Sequence, residues 1–197
     1  GSEMCIRDRL YSRGYLAHCL AEKSPAHISL HYTALVAMFY AMLGVVLSDG
    51  GFSFLFFWEL MTVASFLLIL FDAQRREVRR AALSYLIMMH IGFVLLVIGF
   101  VRLDAACGAA TFGALGDYFR TQPGLPLLLV FLAGFGMKAG LFPMHVWLPE
   151  AHPAAPSHVS ALMSGVMIKT GVYGILRVTA ALGEQPLLHT AGVILLA

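Results

Sequence analysis

Polar positions along the chain retreat into short islands, and the apolar runs between them are long. Five reach the roughly 20 residues that cross a hydrocarbon core. They are "ISLHYTALVAMFYAMLGVVL" (28–47), "FSFLFFWELMTVASFLLILF" (52–71), "AALSYLIMMHIGFVLLVIGFV" (81–101), "GLPLLLVFLAGFGMKAGLF" (124–142) and "SHVSALMSGVMIKTGVYGILRV" (157–178). A sixth starts near Pro186 and runs about 12 residues to Ala197. A transmembrane barrel would alternate apolar and polar positions over about 10 residues. These runs stay apolar over twice that length, so each predicts a helix. The expected fold class is all-α, a polytopic transmembrane bundle of about five complete helices plus a truncated sixth. Ser160 with Ser164, and Ala161 with Gly165, fall at the spacing by which lipid-embedded helices approach closely. Chance in a Gly- and Ala-rich chain explains any single pair equally well.

Composition agrees with this pattern. Of 197 residues, 59% are hydrophobic and only 12% charged, whereas a soluble domain carries about 25% charged residues. A net charge of +2 gives nucleic acid nothing to bind. Cys5, Cys19 and Cys107 lie far apart with no CxxC pair, so no metal site, iron–sulfur site or disulfide framework is expected, and no cofactor.

The two ends read differently from the middle. "GSEMCIRDR" has no apolar core after it before Ile28 and so is no signal peptide. It resembles translated adaptor sequence, and residues 1–9 are expected to be non-native, followed by a polar segment over 10–27 and the membrane domain over 28–197. The sixth run breaks off short of a full span, which predicts a fragment of a longer protein.

Loop charge sets a direction. "DAQRREVRR" (72–80) holds Arg75, Arg76, Arg79 and Arg80 and is expected on the cytoplasmic side, whereas "SDGG" (48–51) has no basic residue and residues 104–123 have only Arg120. The loop over 143–156 then also falls on the cytoplasmic side, in the inner membrane of the cell.

Three ionisable residues interrupt three of the runs: Glu59, Lys138 and Lys169. Such a group at the centre of a span costs about 2.5–3.5 kcal/mol on insertion scales. At about 1.5 Å per residue, Lys138 lies about 20 Å along its run, Lys169 about 18 Å and Glu59 about 10 Å. Arg177 lies near the end of its run, where snorkelling to the headgroups suffices. A salt bridge locking two helices is one reading of the inner three. Proton carriage is the other: burial disfavours an ammonium, a nearby carboxylate favours it, and a lysine whose carboxylate partner moves can bind and release a proton. Around Lys138, the residues Gly136, Gly140 and Pro143 predict a helix break, or a simple helix end at Pro143. His90, His145, His152 and His158 are candidates to extend a proton path, or are hydrogen-bonded structural residues.

The block "KAGLFPMHVWLPEAHPAAPSHVSALMSGVMIKTGVYGILRV" resembles the most distinctive stretch of the proton-translocating antiporter-like family. That family comprises large membrane subunits of respiratory complex I, Mrp-type cation/proton antiporters and membrane-bound hydrogenases. The string H-x-W-L-P-D/E-A-H, a small proline-containing loop and K-T-x-x-Y-G-I/L-L-R carry the likeness, and "FFWELMTVASFLLI" resembles the family's glutamate-bearing helix. The resemblance implies fourteen core helices in two inverted five-helix repeats, of which residues 30–197 supply the fourth to eighth and the start of the ninth. It further implies that Glu59 pairs with Lys138, the lysine of a broken helix, and that protons pass on through Lys169. "WELMTVASFLLILF" and "KTGVYGILRV" are most similar to the formate hydrogenlyase and hydrogenase-4-type large subunit.

The expected function is proton translocation by a membrane subunit of a redox-driven complex, of the hydrogenase or NADH:quinone oxidoreductase type. Its expected partners are other membrane and peripheral subunits, the bilayer and protons or sodium. The alternatives are an Mrp-type cation/proton antiporter subunit and a non-transporting scaffold.

Overall fold

A computed structural model of the chain describes residues 24–183 and 186–196. The readings for residues 1–9, for 10–23 of the polar segment, and for Cys5 and Cys19 lie outside the described residues. What is described is helical throughout: α1 (Pro25–Leu47), α2 (Gly51–Ile69), α3 (Arg76–Cys107), α4 (Leu115–Thr121), α5 (Gly124–Ala139), α6 (Leu148–Ala154), α7 (Ser157–Leu162), α8 (Ile168–Ala180) and α9 (Pro186–Leu196). Five stretches are long and apolar enough to cross a membrane, with α5 to α6 making one and α7 to α8 another. Tyr40, Leu47, Phe56 and Leu83 are each more than half exposed. Large apolar side chains facing outward at this density suit lipid and not water.

Helix α1 packs on α2, α3 lies against both α2 and α5, and α5 packs on α8. Between them an aromatic core of Phe54, Trp58, Phe131 and Phe135 is fully excluded from solvent, with the Trp58 and Phe135 rings edge-on at 5.3 Å. The backbones come close where side chains vanish. A Cβ on Gly171 of α8 would stand 2.6 Å from the Ala139 amide nitrogen of α5. The expected small-residue pairs of the fifth run do not serve in this way: Ala161 and Ser164 are exposed, and Gly165 has open space beside it.

Element ends differ from the hydropathy reading in a physical way. Helix α3 starts at Arg76 and runs to Cys107, so the expected basic loop over 72–80 shrinks to a short 3-10 turn and residues 73–75. Arginines are good helix formers, so the helix already runs through Arg76, Arg79 and Arg80 ahead of the apolar stretch. The expected loop over 143–156 is likewise mostly helical, a 3-10 turn over Met144–Trp147 followed by α6. Arg80, Glu150 and Pro153 line one depression, so both segments sit at the same end of the bundle.

The opposite end is laced together by Arg177. Its guanidinium donates to the Ser48 carbonyl at 2.7 Å and to Asp49 Oδ1 at 2.7 Å, and lies 3.9 Å from the centre of the Phe112 ring. Tyr173 adds a bond to the Val46 carbonyl at 3.0 Å. Gly51 N–H donates to Ala110 O at 2.6 Å, joining the α1–α2 turn to the α3–α4 connection. Arg177 therefore departs from the snorkelling expected of it: its side chain is 23% exposed and turned onto protein.

Candidate site around Lys138

Lys138 lies in the last turn of α5, 1% exposed, packed beneath the aromatic core. Its ammonium donates to Thr62 Oγ1 of α2 at 2.7 Å and lies 4.9 Å from the centre of a Trp58 ring. The Thr62 hydroxyl in turn donates to the Trp58 carbonyl at 3.1 Å, which leaves its lone pairs aimed at the lysine. The negative end of the α5 dipole favours a cation at this place.

The helix stops just beyond Lys138 because Gly140 adopts φ +69°, the left-handed conformation that glycine reaches without strain. Gly136 remains helical, and its carbonyl accepts from both Gly140 N–H and Leu141 N–H. The next freed carbonyl, Met137 O, accepts from the Trp147 indole at 2.9 Å. Pro143 falls after the break, preceding the 3-10 turn, and its peptide bond with Phe142 is cis. The motif "MHVW" thus returns an aromatic side chain to close the helix end that "KAG" leaves open.

Glu59 does not pair with Lys138 in the way the resemblance implied. Its Oε1 lies 3.0 Å from His90 Nε2 of α3, and its Oε2 is buried without a hydrogen-bond partner among the described residues. The carboxylate is still within electrostatic reach of Lys138. Geometry accounts for the arrangement: Glu59 and Thr62 are three residues apart on one face of α2, and the shorter reach from Lys138 ends on the hydroxyl. His90, with its side chain 48% exposed, looks outward from α3 and not into a buried relay.

The remaining expected residues fall in separate places. His158 of α7 is buried, with Nε2 2.9 Å from His31 Nε2 of α1. His152 Nδ1 lies 2.6 Å from Ser160 Oγ. His145 is half-buried against Phe142, ring centres 5.8 Å apart. Lys169 is exposed on α8 and stands apart from the Lys138 cluster. A π turn over Met163–Met167 is the cause. An unbroken helix turns about 100° per residue, which would return Lys169 to within about 20° of the face of His158, eleven residues earlier. The extra residue of the π turn sets the helix back by about 100°, which leaves Lys169 about 80° off that face and brings Thr170 onto it, with Gly171 and Gly174 also facing inward.

Sequence reasoning missed Thr62, Ser65, Tyr85 and His31. Ser65 Oγ and Tyr85 Oη lie 2.6 Å apart in the core, and Tyr85 also reaches Met167 Sδ at 3.6 Å. The available signal was the spacing Glu59, Thr62, Ser65, a polar stripe every three residues in a helix whose other side chains, Ser53 apart, are apolar. Among the described residues no group of three or more His, Cys, Asp or Glu is placed to hold a metal ion.

Comparisons with known proteins cover most of the chain. Residues 48–196 match the family model for NADH:quinone oxidoreductase/Mrp antiporter transmembrane proteins. Hydrogenase-4 component B of Escherichia coli is 41% identical over 150 residues, 74% of this chain and 22% of that protein. A putative antiporter subunit of Staphylococcus aureus is 34% identical over 157 residues, 77% of this chain and 20% of that protein. A solved structure of the membrane-bound sulfane sulfur reductase, an archaeal respiratory membrane complex, superposes with a TM-score of 0.69 at 30% identity, covering 77% of this chain and 25% of that one. The chain spans less than a quarter of the length of these curated relatives.

Proposed function

The chain belongs to the NADH:quinone oxidoreductase/Mrp antiporter membrane family, and on that premise we propose that it carries protons as part of a redox-driven membrane complex. The observation that supports this most is Lys138: an ammonium 1% exposed in an apolar bundle, held by one hydroxyl and placed at a helix break. A buried ionisable group inside a membrane is costly to keep unless it serves transport or ligand binding. In the proposed mechanism Glu59 stands between two nitrogen bases, His90 on one side and Lys138 on the other. A carboxylate drawn toward His90 weakens its hold on the Lys138 proton, and one drawn toward Lys138 strengthens it, so movement of Glu59 between the two sets whether that proton is held or released.

Identity of 41% to hydrogenase-4 component B, against 34% to the antiporter subunit, favours a redox-driven partner. The positive-inside rule favours placing the Arg75–Arg80 end and the Met144–Ala154 segment on the cytoplasmic side. The test is Lys138→Ala in the full-length protein within its complex, with proton translocation measured in vesicles and assembly checked separately. Translocation is expected to be lost at normal assembly; unaltered pumping would sink the assignment. The second reading, cation/proton exchange, rests on the 34% identity to the Staphylococcus antiporter subunit. It predicts sodium-dependent pH changes in vesicles given no redox substrate.

A further inference from the structure

The outward face of α3 carries a feature beyond the Lys138 cluster. At its start, Arg76, Arg79 and Arg80 line a groove of about 620 Å³ whose floor is Leu83, Ile87 and Met88, with no carboxylate among its lining residues. Ile87 also belongs to a second groove of about 470 Å³ that continues along His90, Ile91 and Val94. The two make one track, basic at one end and beyond it apolar except for the His90 ring. Leu83, Ile87, Ile91 and Val94 are 53, 59, 45 and 53% exposed, and their spacing keeps them on one helical stripe with Arg76 and Arg80.

The three arginines are not equally committed. Arg79 donates to the carbonyls of Ala73 and Gln74 at 2.7 and 3.1 Å, closing the turn before α3. Arg76 and Arg80 are exposed and have no ion pair among the described residues. On the far side of Arg80 the neighbouring depression contains Glu77 and Glu150, which repel an anion. The Leu83 side therefore offers positive charge without opposition.

We propose that this track binds one anionic glycerophospholipid, its phosphate at Arg76 and Arg80 and an acyl chain along Leu83, Ile87 and Ile91. Guanidinium groups suit phosphate in charge and in geometry. The length fits too: the eleven residues from Arg80 to Ile91 rise about 16 Å, close to half of the roughly 30 Å hydrocarbon thickness. Free phosphate would use only the arginines, and a neutral transmembrane helix only the groove; a lipid uses both. A zwitterionic lipid brings its own cation to the phosphate and gains less from the arginines.

The experiment takes the full-length protein in its complex, purified in mild detergent, and counts bound lipid by native mass spectrometry in a mixture of phosphatidylglycerol and phosphatidylcholine. Phosphatidylglycerol should be retained preferentially. With each guanidinium near the surface worth about a factor of five, Arg76→Gln with Arg80→Gln should lower that preference by about 25-fold. Ile87→Trp, which fills the groove and leaves every charge, should lower occupancy by both lipids, and glycerophosphate should not displace the lipid. Equal retention of the two lipids, or a preference that survives the double arginine variant, overturns the proposal. So does displacement by glycerophosphate, or cross-linking of Ile87→Cys to a neighbouring subunit in place of its protection by lipid.

Discussion

The hydrogen bond between Lys138 and Thr62 makes a quantitative demand. Thr62→Val replaces the hydroxyl with a methyl of nearly the same size, so it opens no cavity and removes only the acceptor. The ammonium loses the 2.7 Å bond that is its hydrogen bond among the described residues, at a site 1% exposed. Hydrogen bonds to charged groups contribute about 1.5–3 kcal/mol, and a buried donor left unmet pays its full desolvation. Thr62→Val should therefore destabilise the full-length protein by about 1.5–3 kcal/mol. Lys138→Met removes the charge that needs the hydroxyl. In that background the same threonine change should cost under about 1 kcal/mol, because only the bond to the Trp58 carbonyl is lost. A double-mutant cycle read by denaturant titration in micelles isolates the difference as a coupling of about 1–2 kcal/mol. Additive costs within about 0.5 kcal/mol would refute the idea that Thr62 holds a charged lysine.

Packing and the histidine pair make two further predictions. Gly171→Ala places a methyl 2.6 Å from the Ala139 amide nitrogen and 2.9 Å from Phe135 O, backbone atoms that cannot step aside. It should cost about 1–3 kcal/mol as overpacking, whereas Gly165→Ala, with open space beside it, should be neutral within about 0.5 kcal/mol; equal costs in the same titration would rule out the close crossing of α5 and α8. Replacing His31 or His158 alone by Phe breaks a 2.9 Å bond between two buried rings and should cost about 1–3 kcal/mol each. The double variant should cost clearly less than the sum, and a full sum would show that the rings do not act as a pair.

The spans were legible because a bilayer core forces the backbone to satisfy itself within a helix, and contiguous apolar residues mark where that must happen. The lysine block and the break at Gly140 were legible because the residue types leave few alternatives, whereas Gly136 stays helical and Pro143 falls after the break. What hydropathy does not record is phase and partner. The fifth run reads as one smooth segment, yet its π turn decides that Thr170 and not Lys169 faces inward, and a π turn has no compositional mark. The partner of Glu59 was missed for a related reason. Depth along the normal says how far apart two charges lie, but not which neighbour on the same face arrives first. Helix ends were misjudged where arginines continue α3, since a transfer scale counts their charge and ignores their helix propensity.

The lacing at the Arg177 end has a mechanical consequence. Arg177 of α8 ties the α1–α2 turn, at Ser48 and Asp49, to Phe112 of the α3–α4 connection. Six residues earlier, Gly171 of the same helix lies against the backbone of Ala139, next to Lys138. Helix α8 is therefore held at two points about 9 Å apart at about 1.5 Å per residue. A strut held at two points cannot pivot about either one. A push on the α1–α2 turn is thus handed along α8 to the backbone beside the buried lysine.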